Sequence, residues 1–186
     1  LINNAANNPL IESMGKEFRF ENFSKELFIK DFEVSILGSF LCSKYIYLFN
    51  IIEKESKDSF INIINISSDL GRIAPDQRLY AIKESSTNNE DTKKPITYSI
   101  YKHGIIGLTK YLATYDPLNM RSNTLCPGGV YNNQSEEFVK RIKDRIPMQR
   151  MATKNEYKGA INFLLSDESK YMTGSTVTID GGRCCW

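Results

Sequence analysis

The run Phe60 to Ile66, FINIINI, sets the tightest limit on what this chain can become. It is uncharged, rich in β-branched isoleucine and stopped by Ser67-Ser68, so it reads as a short strand buried on both faces, as in a parallel sheet. Helical patterns flank it. From about Ser24 to Lys54, Phe28, Phe32, Ile36, Phe40 and Leu41 recur at steps of four or one, the spacing of a buried helix face. Gly38 and Ser39 cost helix propensity there and would let a second helix come close. Thr97 to Tyr115 forms a second helix with Ile105, Leu108, Leu112 and Tyr115 on its inner face, ended by Asp116-Pro117.

Further strands are expected at Arg121–Cys126, stopped by Pro127-Gly128-Gly129, and at Thr176–Ile179, stopped by Asp180-Gly181-Gly182. Between them lie a charged helix, Glu136–Asp144, and a helix opened by a Thr153…Glu156 capping box that buries Tyr157, Ala160, Ile161, Leu164 and Leu165. Asn3 to Pro9 is a polar turn and residues 10–23 read as loop. Residues 69–95 are largely polar, with a loop tip at Ser85–Asp91. Strands alternating with helices predict an α/β fold with a parallel sheet.

Composition removes several classes of function. With 24 Lys+Arg against 22 Asp+Glu the formal charge is +2, which gives no electrostatic reason to expect nucleic acid or an anionic membrane surface. No apolar run approaches the roughly 20 residues that span a bilayer, so no membrane partner is expected. The four cysteines, Cys42, Cys126, Cys184 and Cys185, contain no C-x-x-C pair; a reduced, cytoplasmic chain without a metal site is expected. Leu1-Ile2 reads as the tail of a buried strand, and the expectation is of an N-terminal portion preceding it.

Chemistry concentrates in few residues. Tyr98 and Lys102 stand four apart on one helix and share a face. Tyr98 lies in the first turn, where the helix dipole favours phenolate, and the Lys102 ammonium pushes the same way. Together they are expected to lower the phenol from its usual value of about 10 towards the range of a general acid/base. Ser68 ends the FINIINI strand with a neutral hydroxyl suited to a carbonyl oxygen. Ser68 and Pro127-Gly128 would both lie at carboxyl ends of strands, where open α/β sheets bind ligands.

Read in order, the chain gives N-N-A-A, N-I-S-S after a strand, Y-S-I-Y-K, N-T-L-C-P-G-G-V after a strand, and T-G-S-T-V-T-I-D-G-G. This set resembles the short-chain dehydrogenase/reductase family in its single-domain branch, over nearly the whole chain. The resemblance implies a Rossmann-type doubly wound parallel sheet with its N-terminal strands missing, residues 1–186 being the C-terminal two-thirds of one dehydrogenase domain. It implies NAD or NADP as cofactor and hydride transfer on a carbonyl/alcohol substrate. Tyr98 would be the general acid/base, Lys102 would lower its pKa and bond the nicotinamide ribose, and Ser68 would steady the substrate oxygen. Pro127, Gly128 and Val130 would line the nicotinamide, Asn132 would lie near the cofactor, and Asn3 and Ala5 would support the adenosine side. The closing segment, Thr173 to Gly182, implies a homodimer or homotetramer.

The sequence departs from the family in three places. Ser35 stands where many members have an Asn that relays protons. The segment between Ser68 and Tyr98 is long and carries Arg72, Asp76, Gln77, Arg78, Lys83 and Lys93, which suits a polar or sugar-like substrate. The Gly-rich phosphate-binding turn is absent; Gly104-Ile105-Ile106-Gly107 lies within a helix and is expected to serve packing. The runs APDQRLY and YSIYKHGIIGLTKYLATY also look like reductases of bacterial surface-sugar and flagellin modification. The alternatives are a 3-oxoacyl-carrier reductase and a catalytically silent binding or assembly subunit. His103 is expected to face away from Tyr98, and Cys126 to be a buried small hydrophobe.

Overall fold

The computed structural model describes residues 1–9, 15–52, 60–80 and 92–186. The expected loop tip Ser85–Asp91 and Lys83 lie outside these residues. Four parallel strands form one sheet in chain order: β1 (Ile2–Asn3), β2 (Ile61–Ile66), β3 (Met120–Pro127) and β4 (Thr176–Ile179). Ile2 pairs with Ile64, Ile64 with Asn123, and Leu125 with Val177. The strands are as expected from sequence, each to within a residue or two.

Strand alternation divides the sheet into two faces. Ile61, Ile63 and Met120 pack on one face against Tyr47 and Leu112. Those residues belong to α2 (Gly38–Ile52) and α3 (Ile96–Tyr115). Ile64 and Leu125 pack on the other face against Leu164 of α5 (Lys158–Leu165). Arg121 of β3 holds the end of α5 by donating to the carbonyls of Leu164 (2.8 Å) and Ser166 (3.1 Å), a cation at a helix C-terminus. A third cluster, Leu79, Tyr80, Phe138, Ile142, Ile146 and Met151, seats α4 (Glu136–Lys143) beyond the carboxyl ends of the strands.

The first helical segment corrects the sequence reading. It runs from α1 (Lys25–Phe32), capped by Ser24 Oγ, through a widened turn at Glu33–Leu37 into α2. Its buried line is polar: Asp31, Ser35, Ser39 and Ser43, each four residues on. Phe28 and Phe40, expected in the core, are exposed, and Phe32, Ile36 and Leu41 are only half-buried. The reason lies in what the helix meets. Asn3 Nδ2 reaches Ser43 Oγ at 3.1 Å, Ser39 O at 3.4 Å and Asn65 Oδ1 at 2.7 Å. The small serines permit that approach and satisfy their own hydroxyls on carbonyls four residues back.

The apolar residues of this segment are left on its outer surface, including Leu37, Leu48, Phe49 and Ile52. By length and composition alone Lys25–Ile52 is long and apolar enough to cross a membrane, against the sequence expectation; its polar line is packed on the sheet. Gly38 admits no neighbouring helix: an added Cβ would meet only Glu33 O, at 3.5 Å. The close approach is instead at Gly104, where a Cβ would stand 3.0 Å from Ile36 Cδ1 as α3 passes the widened turn.

Asn65 is fully buried and donates to Thr109 Oγ1 (2.9 Å) and Ser122 Oγ (3.2 Å) while accepting from Asn3. Asn65→Ala orphans several buried groups, at about 1–3 kcal/mol for each left unsatisfied. Denaturant unfolding is therefore expected to show a fall in stability of that size or more; an unchanged midpoint would contradict this role.

Candidate active site

Two hydroxyl contacts and one glycine bring α3 onto the carboxyl end of β2. Ser67 Oγ donates to Lys102 O at 2.7 Å, and Thr109 Oγ1 joins Thr124 Oγ1 of β3 at 2.7 Å. Gly71 leaves room for the helix, since a Cβ there would lie 2.8 Å from Lys102 O. Ser68, Tyr98, Pro127, Gly128, Val130 and Asn132 consequently border one cavity of about 380 Å³. The family resemblance implied a common site for these six, and the structure brings them to one cavity. Gly128 is held close to the last strand: a Cβ on it would meet Asp180 Cα at 2.8 Å.

The remaining expected site residues are placed differently. Asn3 is buried and its side chain is spent on Ser39, Ser43 and Asn65, so it acts on the scaffold; Ala5 is exposed in the turn that follows. Lys102 is buried beside Tyr98, its ammonium 5.7 Å from the Tyr98 ring centroid and donating to Ile66 O at 3.0 Å. His103 is exposed, with Nδ1 2.9 Å from Ser99 O. Cys126 is buried, and burial pushes its thiol up.

The electrostatics reverse one expectation. Burial raises the Tyr98 phenol above its usual value; the hydrogen bond with Ser68 pulls it down without overcoming that effect. Burial also draws Lys102 down to about 8, which weakens the cation expected to acidify the phenol. The helix N-terminus and one lysine do not offset removal from water. As it stands the site favours the protonated form of Tyr98.

Three features had no sequence signal. Ser68 Oγ donates to Asp69 Oδ1 at 2.7 Å, and Asp69 Oδ2 accepts from Arg183 Nη1 at 2.6 Å, both charges being almost fully buried. These partners are 114 positions apart. Lys94, passed over in favour of Lys93, lies against the face of Tyr98 at 3.9 Å. Asp31 ties the turn after β1 to α3, accepting from Thr97 Oγ1 (2.5 Å) and Asn7 Nδ2 (3.2 Å), while Tyr101 Oη donates to Asn7 O (2.5 Å). Ser35 is buried on the same line, its hydroxyl without a well-formed hydrogen bond. Among the described residues no three His, Cys, Asp or Glu side chains converge as a metal site would need.

Removing one partner of a buried ion pair leaves a charge without its counter-charge, at about 3–5 kcal/mol. Asp69→Asn and Arg183→Met should each destabilise by that amount, and the double variant should regain most of it. A double variant as unstable as the sum of the two would contradict the pairing.

The chain matches the family described as enoyl-(acyl carrier protein) reductase over residues 1–183. It is 33% identical over 173 residues to an uncharacterized oxidoreductase of Thermotoga maritima, covering 87% of this chain and 60% of the relative. It is 36% identical over 127 residues to post-translational flagellin modification protein A of Campylobacter coli, covering 68% and 47%. Among solved structures, a short chain dehydrogenase from Leptospira borgpetersenii with bound NAD+ superposes with a TM-score of 0.76 at 34% identity, over 89% of this chain and 59% of that one. The chain thus spans about half to three-fifths of the length of these relatives. Its four-stranded parallel sheet, the cavity at the carboxyl ends of its strands and the match over residues 1–183 lead to one conclusion: this chain belongs to the short-chain dehydrogenase/reductase family.

Proposed function

We propose that residues 1–186 are the C-terminal two-thirds of one Rossmann-type domain and form the catalytic side of an NAD(P)-dependent oxidoreductase. The observation that carries this reading is the meeting of Ser68 and Tyr98 with Pro127–Val130 on a single cavity. NAD, as bound in the Leptospira structure, or NADP would supply or accept the hydride when bound. The nicotinamide end fits the residues present: glycine backbone at 128 and 129 and Val130 on the cavity, with Lys102 buried beside Tyr98. A Gly-rich turn for the pyrophosphate is not among these 186 residues.

The chain's own residues divide the work of a carbonyl/alcohol interconversion. Ser68 Oγ, held by Asp69, would orient the substrate oxygen. Tyr98, kept protonated by burial, would give that oxygen its proton in the reductive direction and recover it in the oxidative one. Lys102 would leave Ile66 O to hold the ribose. Ser35, with a water, would stand in for the relay Asn. A polar or sugar-like substrate is favoured over an acyl-carrier thioester by the likeness to the Campylobacter protein and by the cationic Lys94 at the cavity. A homodimer or homotetramer in the cytoplasm suits the apolar surface of α2 and α3, where Phe40, Leu48, Leu108, Tyr111 and Tyr115 border a groove of about 300 Å³.

The test uses the chain extended N-terminally by a dinucleotide-binding half. NADH or NADPH fluorescence titration should show binding that Tyr98→Phe leaves intact, while turnover falls about 10²–10⁴-fold, the usual share of a general acid. A folded extended chain that binds neither cofactor would overturn the reading and favour the silent subunit.

A further inference from the structure

Lys94 is 8% exposed, yet its close partners among the described residues are all neutral. Its ammonium donates to Asn8 Oδ1 at 2.5 Å and lies 3.9 Å from the Tyr98 ring centroid and 5.8 Å from that of Tyr80. Its backbone N–H donates to Gln77 Oε1 at 2.8 Å, which fixes the residue just ahead of α3. None of the ion pairs among the described residues includes it. The acid that acts on it, Asp69, is already taken by Arg183 at 2.6 Å. A buried ammonium without a counter-charge is costly, and one set at a binding cavity suggests that its counter-charge arrives with a ligand.

The surroundings agree. Lys94 borders the Ser68–Tyr98 cavity and also a second hollow of about 400 Å³, formed with Phe18, Phe20, Lys93 and Ile100 on the outer side of α3. It therefore stands at the seam between the reacting oxygen and a space for the rest of a substrate. Arg183 and Lys94 both border the reacting cavity, against the single acid Asp69, so the pocket favours a negative guest. Burial lowers the ammonium to about 8, which still leaves most of it charged at neutral pH.

We infer that Lys94 anchors an acidic group, carboxylate or phosphate, on the substrate whose carbonyl or alcohol carbon lies at Tyr98. The inference rests on the oxidoreductase reading and narrows it to sugar-like acids or sugar phosphates. It also makes Lys94 a residue that sets specificity, since a hydrogen-bonding ammonium replaced by a neutral group discriminates strongly against the charged ligand.

The test compares galacturonate, galactose 6-phosphate and galactose as probes of the extended chain. Binding is followed by thermal shift without cofactor and by quenching of NADH fluorescence with it. In the native protein at least one acidic probe should bind tenfold or more tightly than galactose, and the preferred one identifies carboxylate or phosphate. Lys94→Gln and Lys94→Met should abolish that advantage while NADH affinity holds; Lys94→Arg should retain part of it. Equal binding of all three probes by the native protein would overturn the inference, as would an acid advantage that survives in Lys94→Met. A loss of NADH affinity equal to the loss of acid binding would also overturn it, by assigning Lys94 to the cofactor's phosphates. If the native protein binds no NADH, the oxidoreductase reading fails, while the thermal shifts still decide whether Lys94 holds an anion.

Discussion

The side chain of Asn65 sits in the middle of the sheet with no exposed surface and links β1, β3 and α3. A buried amide is stable only when its donors and acceptors are met, so its partners are constrained in turn. Asn3 must stand at the end of β1, Thr109 must face the sheet from the middle of α3, and Ser122 must occupy β3 opposite Ile63. The polar line Ser39–Ser43 then brings α2 in over Asn3. An apolar core would permit these helices to slide; the bonded amide permits one register.

That register places the chemistry. Fixing Thr109 against Thr124 sets the height of α3, and Ser67 on Lys102 O sets its start. Tyr98, a further turn towards the N-terminus, is thereby delivered to the end of β2 beside Ser68. Burial there has a second consequence. It keeps the phenol protonated and brings both nearby lysines down to about 8, so desolvation, more than the charges on the helix, governs protonation in this pocket. Asp69 and Arg183 form a neutral pair at its edge, leaving Lys94 on the cavity wall with no carboxylate partner among the described residues.

The strands and α3 were legible because they are local: each depends on a short run, a helical step or the end of a strand. The meeting of Ser68, Tyr98, Pro127, Gly128, Val130 and Asn132 was implied by the resemblance that the order of the motifs carries, since no spacing in the chain shows it. The inner face of the segment from α1 to α2 was misread because Phe28, Phe32 and Phe40 carry a stronger hydrophobic signal than Ser35, Ser39 and Ser43. Periodicity identifies a helix, but it cannot tell a core face from an apolar outer one when the true contact is polar and close-packed. The ion pair of Asp69 with Arg183 and the approach of Lys94 to Asn8 are long-range contacts with no spacing to betray them. The direction of the Tyr98 shift was missed for a related reason: sequence lists the neighbouring charges but not the loss of water.

The most direct test of this account is a crystal structure of the extended chain with NADH. The account predicts the nicotinamide against Pro127–Val130, its reacting face towards the hydroxyls of Ser68 and Tyr98, and Lys102 moved from Ile66 O to the ribose. A nicotinamide bound away from this cavity, or a Tyr98 hydroxyl turned from it, would contradict the account.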